Sequence, residues 1–353
     1  KAPVPYPPVL HSLASASTIT WLIHQKFELS IPLYRQEKEW EALGLRLSRA
    51  TMSNWLLVVY RDWLVHIVHR LKLELLKQRY LHIDETHVQV LKEPGRKNTS
   101  DSYMWVYCSI RDAVNPIRYF EYQPGRSGKY PEAFLREYEG YIHTDAYSGY
   151  NAVSGVKRCL CYTHLRRAFV DALPKDIHNS EASKPAEAIL RLNQLFNIES
   201  ELEALPPDQK KKERLIREKP LLEAFWSWAE KSAIGELPKS KLSKAFHYAL
   251  NNREGFWNYL EDGNCSISNS LAENCIRPFV IGRKNWLFSG SPKGAEASAG
   301  IYTLVETAKA NGLAPMKYIK YILSDMLGSA FLEHPEYLDD YLPWNPLVKE
   351  FCR

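Results

Sequence analysis

At Tyr80 the hydrophobic period of this chain changes from helical to strand-like, and the order of elements that follows leaves few folds open. YLHIDETHVQVL, YMWVYCSIRD and IRYFEYQ are short runs rich in β-branched and aromatic residues. Turn-rich stretches, EPGRKNTSDS and DAVNP, separate them, so the pattern predicts three sequential antiparallel strands. After QPGRSGKYP it predicts a helix around Glu132 to Tyr138, a fourth strand at 140–144, a short helix after Asp145 and a fifth strand at 157–162.

Three meandering strands, helix, strand, helix, strand is the order of a ribonuclease-H-like α/β fold with a mixed five-stranded sheet and flanking helices. In that order the first and fourth strands are neighbours, which brings together Asp84 of HIDETHV and Asp145 of YIHTDAYSGY, each placed where an apolar run ends. Alternation puts His82, Asp84 and Thr86 on one strand face and Glu85 on the other. A carboxylate inside a β-core is costly without a partner, and a metal ion supplies one. Asp145 serves equally as an N-cap for the following helix. A third carboxylate, Glu273 in SNSLAENCIRP, opens a helical segment with Asn269 and Arg277 at i−4 and i+4 on its face. Spacing alone leaves Glu296 and Glu306 open as alternatives. Two strand aspartates and one distant helical glutamate form a set able to hold two divalent ions and to cut and rejoin a phosphodiester.

Other segments suit contact with DNA. A helix from about Pro32 ends at Gly44, and Ser48 caps a second helix with Met52, Trp55, Leu56 and Val59 inward. This is the outline of a helix-turn-helix, whose exposed face offers Arg49, Ser53 and Asn54; a plain helical hairpin shares it. After Glu273, the run RPFVIGRKNWLFSGSPKGA interleaves Arg277, Arg283, Lys284, Asn285 and Lys293 with Trp286 and Phe288 around three glycines. It reads as a glycine-flexed loop for phosphate contact and base stacking. Arg126 in GRSGKYP and His164, Arg166 and Arg167 at the fifth strand's exit complete the candidate DNA contacts. Cys159, Cys161 and His164 lack a second cluster to complete a zinc site and read as core-strand and exit residues. QKKKERLIREK reads as a solvated helix face.

Composition adds bounds. A net charge of +5 over 353 residues is compatible with DNA without requiring it. No apolar run reaches the roughly 20 residues that cross a bilayer, and WLLVVYRDWLVHIVHR is interrupted by charge. Six unevenly spread cysteines read as reduced thiols, and the expected compartment is the cytoplasm. Lys1 rather than Met at the start leads to the expectation of a missing upstream portion.

HIDETHV, GRSGKYPEAFL, GYIHTDAYSGYN, CYTHLRRAF, AENCIRPFVIGRKNWLFSGSPKGA and YTLVETAKANGLAP together resemble the insertion sequence 66 family of bacterial DDE transposases. PLYRQEKEWEALGLRLSRATMSNW and YLPWN fit the same pattern, so the resemblance spans nearly the whole chain. It implies a ribonuclease-H-like catalytic domain with Asp84, Asp145 and Glu273 as the metal-binding triad, and it selects Glu273 over Glu296 and Glu306. It implies two Mg²⁺ ions per site, replaceable by Mn²⁺, and as partners the duplex DNA of transposon terminal inverted repeats and of the target. A homodimer or higher assembly in the synaptic complex and accessory proteins of the same element are further expected partners; a membrane is not. The expected organisation is an arm at 1–16, a helix-turn-helix-like domain at 17–78 and a catalytic core at 79–164 and 263–330. A helical insertion at 165–262 and a tail at 331–353 complete it. Family members usually carry an upstream coiled coil and a cysteine-rich zinc-binding segment, which are absent from this sequence. Rival expectations are a non-catalytic transposase-derived DNA-binding protein, a ribonuclease-H-like nuclease without strand transfer and, remotely, a carbohydrate hydrolase.

Overall fold

The computed structural model describes residues 7–174 and 183–353; parts of the predicted arm (1–6) and insertion (175–182) lie outside them. Helices α1 (Ala16–Ile23), α2 (Leu33–Ala42), α3 (Arg49–Val59) and α4 (Val65–Leu76) precede strands β1 (Tyr80–Val90), β2 (Asp101–Ser109) and β3 (Arg118–Gln123). Next come α5 (Lys129–Phe134), β4 (Gly140–Thr144) and β5 (Val156–Leu160). A helical stretch follows: α6 (Tyr162–Val170), α7 (Lys184–Glu201), α8 (Pro207–Glu213), α9 (Lys219–Ala233), α10 (Lys241–Asn251) and α11 (Arg253–Trp257). The chain closes with α12 (Ser270–Trp286), β6 (Phe288–Ser289), α13 (Pro292–Ala310), α14 (Pro315–Asp325) and α15 (Pro346–Cys352).

The strand order is β3-β2-β1-β4-β5, the mixed sheet expected of a ribonuclease-H-like domain. β2 and β3 run antiparallel, from Tyr103 opposite Gln123 to Cys108 opposite Arg118. β1 and β4 run parallel, with Tyr80, Leu81 and His82 opposite Tyr141, Ile142 and His143, and β5 lies parallel beyond β4. Four details differ from expectation. Asp84 does not end a strand, because β1 runs on to Val90. A short β6, not expected, pairs with the far end of β1, Phe288 opposite Gln89. α5 stops at Phe134 instead of reaching Tyr138, and Glu137 takes a φ of 65°, which no continuing α-helix allows. The helix after Asp145 is a 3₁₀ turn, Ser148–Ala152, and β5 yields at Leu160 to Cys161, which precedes α6.

The chain divides into two compact units: 7–78, 84–130 and 271–353 form the first, and 79–83, 131–174 and 183–270 the second. In the first, Ser48 accepts from the Thr51 amide at 3.1 Å to start α3, and Gly44, at φ 84°, ends the turn after α2. Met52, Leu56 and Val59 are buried as predicted, whereas Trp55 is only half-buried. Part of the predicted arm is packed: the Pro8 carbonyl accepts from the Trp63 indole at 3.0 Å, and Val9 and Ala14 are buried. The centre of this unit is α13, apolar on nearly every side and buried from Ala299 through Val305. Its Thr303 and Thr307 hydroxyls accept the β3 amides of Phe120 (2.8 Å) and Arg118 (3.0 Å), satisfying alternate groups of a sheet edge.

In the second unit the helical stretch builds its own core from Leu165, Phe169, Leu192, Leu222, Phe225, Trp226, Phe246 and Phe256 against β5. Buried Arg214 organises one side. It binds the Glu199 carboxylate (2.6 Å) and the carbonyls of Tyr259 (3.0 Å), Asp262 (3.1 Å) and Cys265 (2.8 Å). Nearby Glu218 is buried, accepts from the Tyr259 hydroxyl at 2.6 Å and has its pKa pushed up to about 8, by burial first and then by the Glu199 charge. A carboxyl whose folded pKa exceeds its unfolded value stabilises the fold fully below pH ~4.5 and ceases to do so as pH rises through about 8. We predict that wild-type stability to urea falls between pH 5 and 8.5 by on the order of a kcal/mol from this group, and that Glu218→Gln flattens the fall. Parallel pH profiles for the two proteins would contradict this.

Candidate active site

The face of β1 that carries His82, Asp84 and Thr86 is tied at two levels to the segment containing Glu273. At one level, in the second unit, the buried Asn269 side chain accepts from His82 Nδ1 (2.9 Å) and donates to the Ile83 carbonyl (2.7 Å). The Asn269 amide also donates to Cys161 Sγ at 3.1 Å. At the other level, in the first unit, Arg283 donates to Thr86 Oγ1 at 3.1 Å. Asn269 immediately precedes α12, so it is the helix's mooring point rather than a residue of the Glu273 face. Glu273 sits half-buried in the first turn of α12, where a negative charge suits the helix dipole.

Asp84 is half-buried in mid-strand. Its neighbour Glu85 points the other way, as alternation predicts: its side chain is 1% exposed and held by Arg126 at 2.5 Å. In the second unit, Asp145 follows β4 directly. Its carboxylate accepts from the Tyr147 amide at 2.9 Å, an Asx turn rather than the N-cap of a full helix. Arg158 reinforces this corner, donating to Thr144 Oγ1 (2.7 Å) and to the carbonyls of Asp145 (2.6 Å) and Tyr147 (2.8 Å). Burial, and then the Asp145 charge, hold the Tyr248 hydroxyl well above its ordinary pKa. The alternatives to Glu273 are differently placed: Glu296 is exposed and Glu306 bonds Lys309 at 2.8 Å.

The run after Glu273 is not the flexed loop expected from its glycines. α12 continues through Pro278 and Gly282 to Trp286, and Gly294 lies in the first turn of α13. Gly282 serves close packing, since a Cβ there would lie 2.2 Å from the Trp286 ring and 2.6 Å from the Tyr302 hydroxyl. Arg277, Lys284 and Lys293 are exposed on these helices, while Asn285 and Trp286 are half-buried. Arg283, partly withdrawn from solvent, has its pKa lowered by burial. On α3, Arg49 and Asn54 are exposed and Ser53 is half-buried. In the second unit Arg167 is exposed, His164 is half-buried, and Arg166 is committed to Asn193 at 2.7 Å. Arg126 is likewise committed, to Glu85.

Another donor cluster in the second unit, His143, Cys159 and Cys265, has ligand atoms within 4.8 Å of one another and is fully buried. Hydrogen bonding accounts for it. His143 Nδ1 faces the Leu81 carbonyl at 3.1 Å and Nε2 accepts from the Ser266 amide at 2.9 Å, so neither ring nitrogen offers a lone pair to a metal. The His143 and His82 rings stack 4.2 Å apart, locking β4 to β1 two residues before the aspartates. Sequence reasoning placed His82 on the Asp84 face and Asn269 four residues before Glu273, without joining the two. Arg158 carried no sequence signal at all.

A family model described as "Transposase IS66 family" matches residues 11–297. Three proteins of Sinorhizobium fredii (strain NBRC 101917 / NGR234) are similar over almost the full chain. The uncharacterized protein y4hP is 25% identical over 98% of this chain and 64% of its own length. The corresponding values are 28%, 94% and 63% for the uncharacterized protein y4qI, and 25%, 98% and 68% for the uncharacterized protein y4jD. The chain thus spans just under two thirds of the length of the first two.

Asn269→Ala leaves the Ile83 carbonyl and His82 without their buried partner. We expect a loss of about 2–4 kcal/mol in urea unfolding, and a change this large at one uncharged residue checks the mooring role. A loss below about 0.5 kcal/mol would remove it.

Proposed function

Since the chain belongs to the IS66 transposase family, we propose that it cuts DNA at the ends of a mobile element and joins the freed strand to target DNA, with Asp84, Asp145 and Glu273 as the catalytic carboxylates. The observation that carries this reading is the register of β1 on β4. Asp84 and Asp145 each follow by two residues the paired His82 and His143 on parallel neighbouring strands. Glu273 lies between Asn269 and Arg283, the two residues that bind the Asp84 side of β1.

The donor set fits divalent magnesium or manganese: three carboxylates are hard oxygen ligands, and no thiol or imidazole is needed. Such ions, when bound, would polarise the scissile phosphate, activate the attacking hydroxyl and neutralise the departing 3′ oxygen. The protein's own part is to hold the carboxylates and the DNA. The Asx turn and Arg158 fix the corner bearing Asp145, and the Asn269 mooring fixes the start of α12. Arg277, Lys284 and Lys293 are exposed cations for strand phosphates, and Arg49 and Asn54, exposed on α3, form the duplex-reading face; Ser53, expected there too, is half-buried and lines a cleft. His164 and Arg167 on α6 supply a further basic edge. Arg126 and Arg166, engaged by Glu85 and Asn193, act in this reading as positioning residues rather than DNA contacts. No helix among the described residues is long and apolar enough to cross a membrane.

The test is nicking of a supercoiled plasmid in Mg²⁺ or Mn²⁺. We expect wild-type nicking to depend on the added ion. Asp84→Asn, Asp145→Asn and Glu273→Gln should each reduce it by on the order of 10²-fold or more while leaving DNA binding in EDTA unchanged. Retained nicking by Asp84→Asn would falsify the assignment, and binding without metal-dependent nicking by the wild type would leave a DNA-binding protein only.

A further inference from the structure

Within the first unit, Lys26, Phe27, Ser53, Leu56, Trp286, Phe288, Ser289 and Gly290 line one small cleft of about 100 Å³. It joins residues from three separate stretches of sequence: the end of the first helix, the middle of α3 and the β6 turn into α13. Among the described residues that line it, Lys26 alone carries a charge. Its ammonium stands 5.0 Å from the Phe27 ring centroid and 5.5 Å from that of Trp286. Among the described residues no carboxylate pairs with it, and burial alone pulls its pKa down to about 8. It also sits in a π-helical turn, His24–Glu28, that continues α1, a local widening that recurs at functional positions.

Cation–π contact with the two rings offsets part of the cost of withdrawing the ammonium from water, and an anion in the cleft would complete its surroundings. The cleft that Lys26 lines is bordered by Ser53, Ser289 and Ser298, residues whose hydroxyls can donate hydrogen bonds, and by Gly290, where even a Cβ would meet nothing within 4 Å. Phe288, at its rim, is 44% exposed. A cleft of this size has room for a phosphate group.

We propose that this cleft is a binding site for a single backbone phosphate of DNA, with Lys26 as its charge partner and the serine hydroxyls as hydrogen-bond donors. The site rests on the DNA-processing reading above but not on the carboxylate chemistry. It adds a contact made by Lys26, outside every motif that suggests DNA binding in the sequence. It also gives Ser53 a pocket to face, where α3 read as a recognition helix would have it point outward.

The experiment measures affinity of the full chain for a fluorescein-labelled 30-base-pair duplex of arbitrary sequence, in EDTA, over a series of salt concentrations. Lys26→Met should weaken binding about tenfold and lower the slope of log K against log salt by about 1, the mark of one lost phosphate contact. Its melting temperature should stay close to that of the wild type, since methionine keeps the apolar stem while the desolvation cost and the cation–π contacts are removed together. Lys317→Met, which removes the same net charge from an exposed lysine of α14, should leave the slope unchanged. Unchanged affinity and slope in Lys26→Met, or an equal loss in Lys317→Met, would overturn the proposal. Failure of the wild type to bind DNA would instead overturn the DNA-processing reading itself, and metal-dependent nicking, assayed separately, decides the carboxylates.

Discussion

The buried amide of Asn269 is the interaction on which the candidate site depends. One side chain accepts from His82, donates to the Ile83 carbonyl and, through its own backbone amide, meets Cys161 at the end of β5. Each partner belongs to a strand or strand end of the second unit, so a single residue fixes the chain there just before α12 begins. The cost of misplacing it is high because every group involved is buried, and an unsatisfied buried carbonyl or imidazole costs about 1–3 kcal/mol. The catalytic proposal uses this rigidity: a carboxylate set for divalent ions tolerates little error in position.

Around that mooring, the two units solve different packing problems. The first covers a sheet edge with α13, whose two threonines satisfy alternate β3 amides from within an otherwise apolar helix. The second surrounds β5 with helices and uses Arg214 as a hub that gathers three carbonyls from the 259–265 segment. That segment leads directly toward Asn269. Within the second unit, Arg214 thereby braces the chain just ahead of Asn269.

Much of the sheet was legible because period-2 patterning and turn residues are local signals, and β1 to β5 follow them closely. The capped entry to α3 and the glycine before it were legible for the same reason. What escaped depends on long-range packing. Gly282 reads as a hinge in sequence, yet it is where α12 approaches Trp286 and Tyr302. Arg126 reads as a basic DNA contact, yet Glu85, on the face opposite Asp84, claims it. Asn269, Arg158 and Lys26 carry no motif, since their roles arise from partners at least 11 residues away in sequence or from a cleft built of three separate stretches.

The most direct measurement of the central claim is affinity cleavage by iron. Fe²⁺ bound in place of magnesium, with ascorbate and peroxide, generates hydroxyl radicals that cut only nearby backbone. Cuts are expected in three segments, around 84, 145 and 273, competed by Mg²⁺ and lost together in Asp84→Asn. Cuts confined to one of these segments, or a pattern unchanged in Asp84→Asn, would contradict the claim.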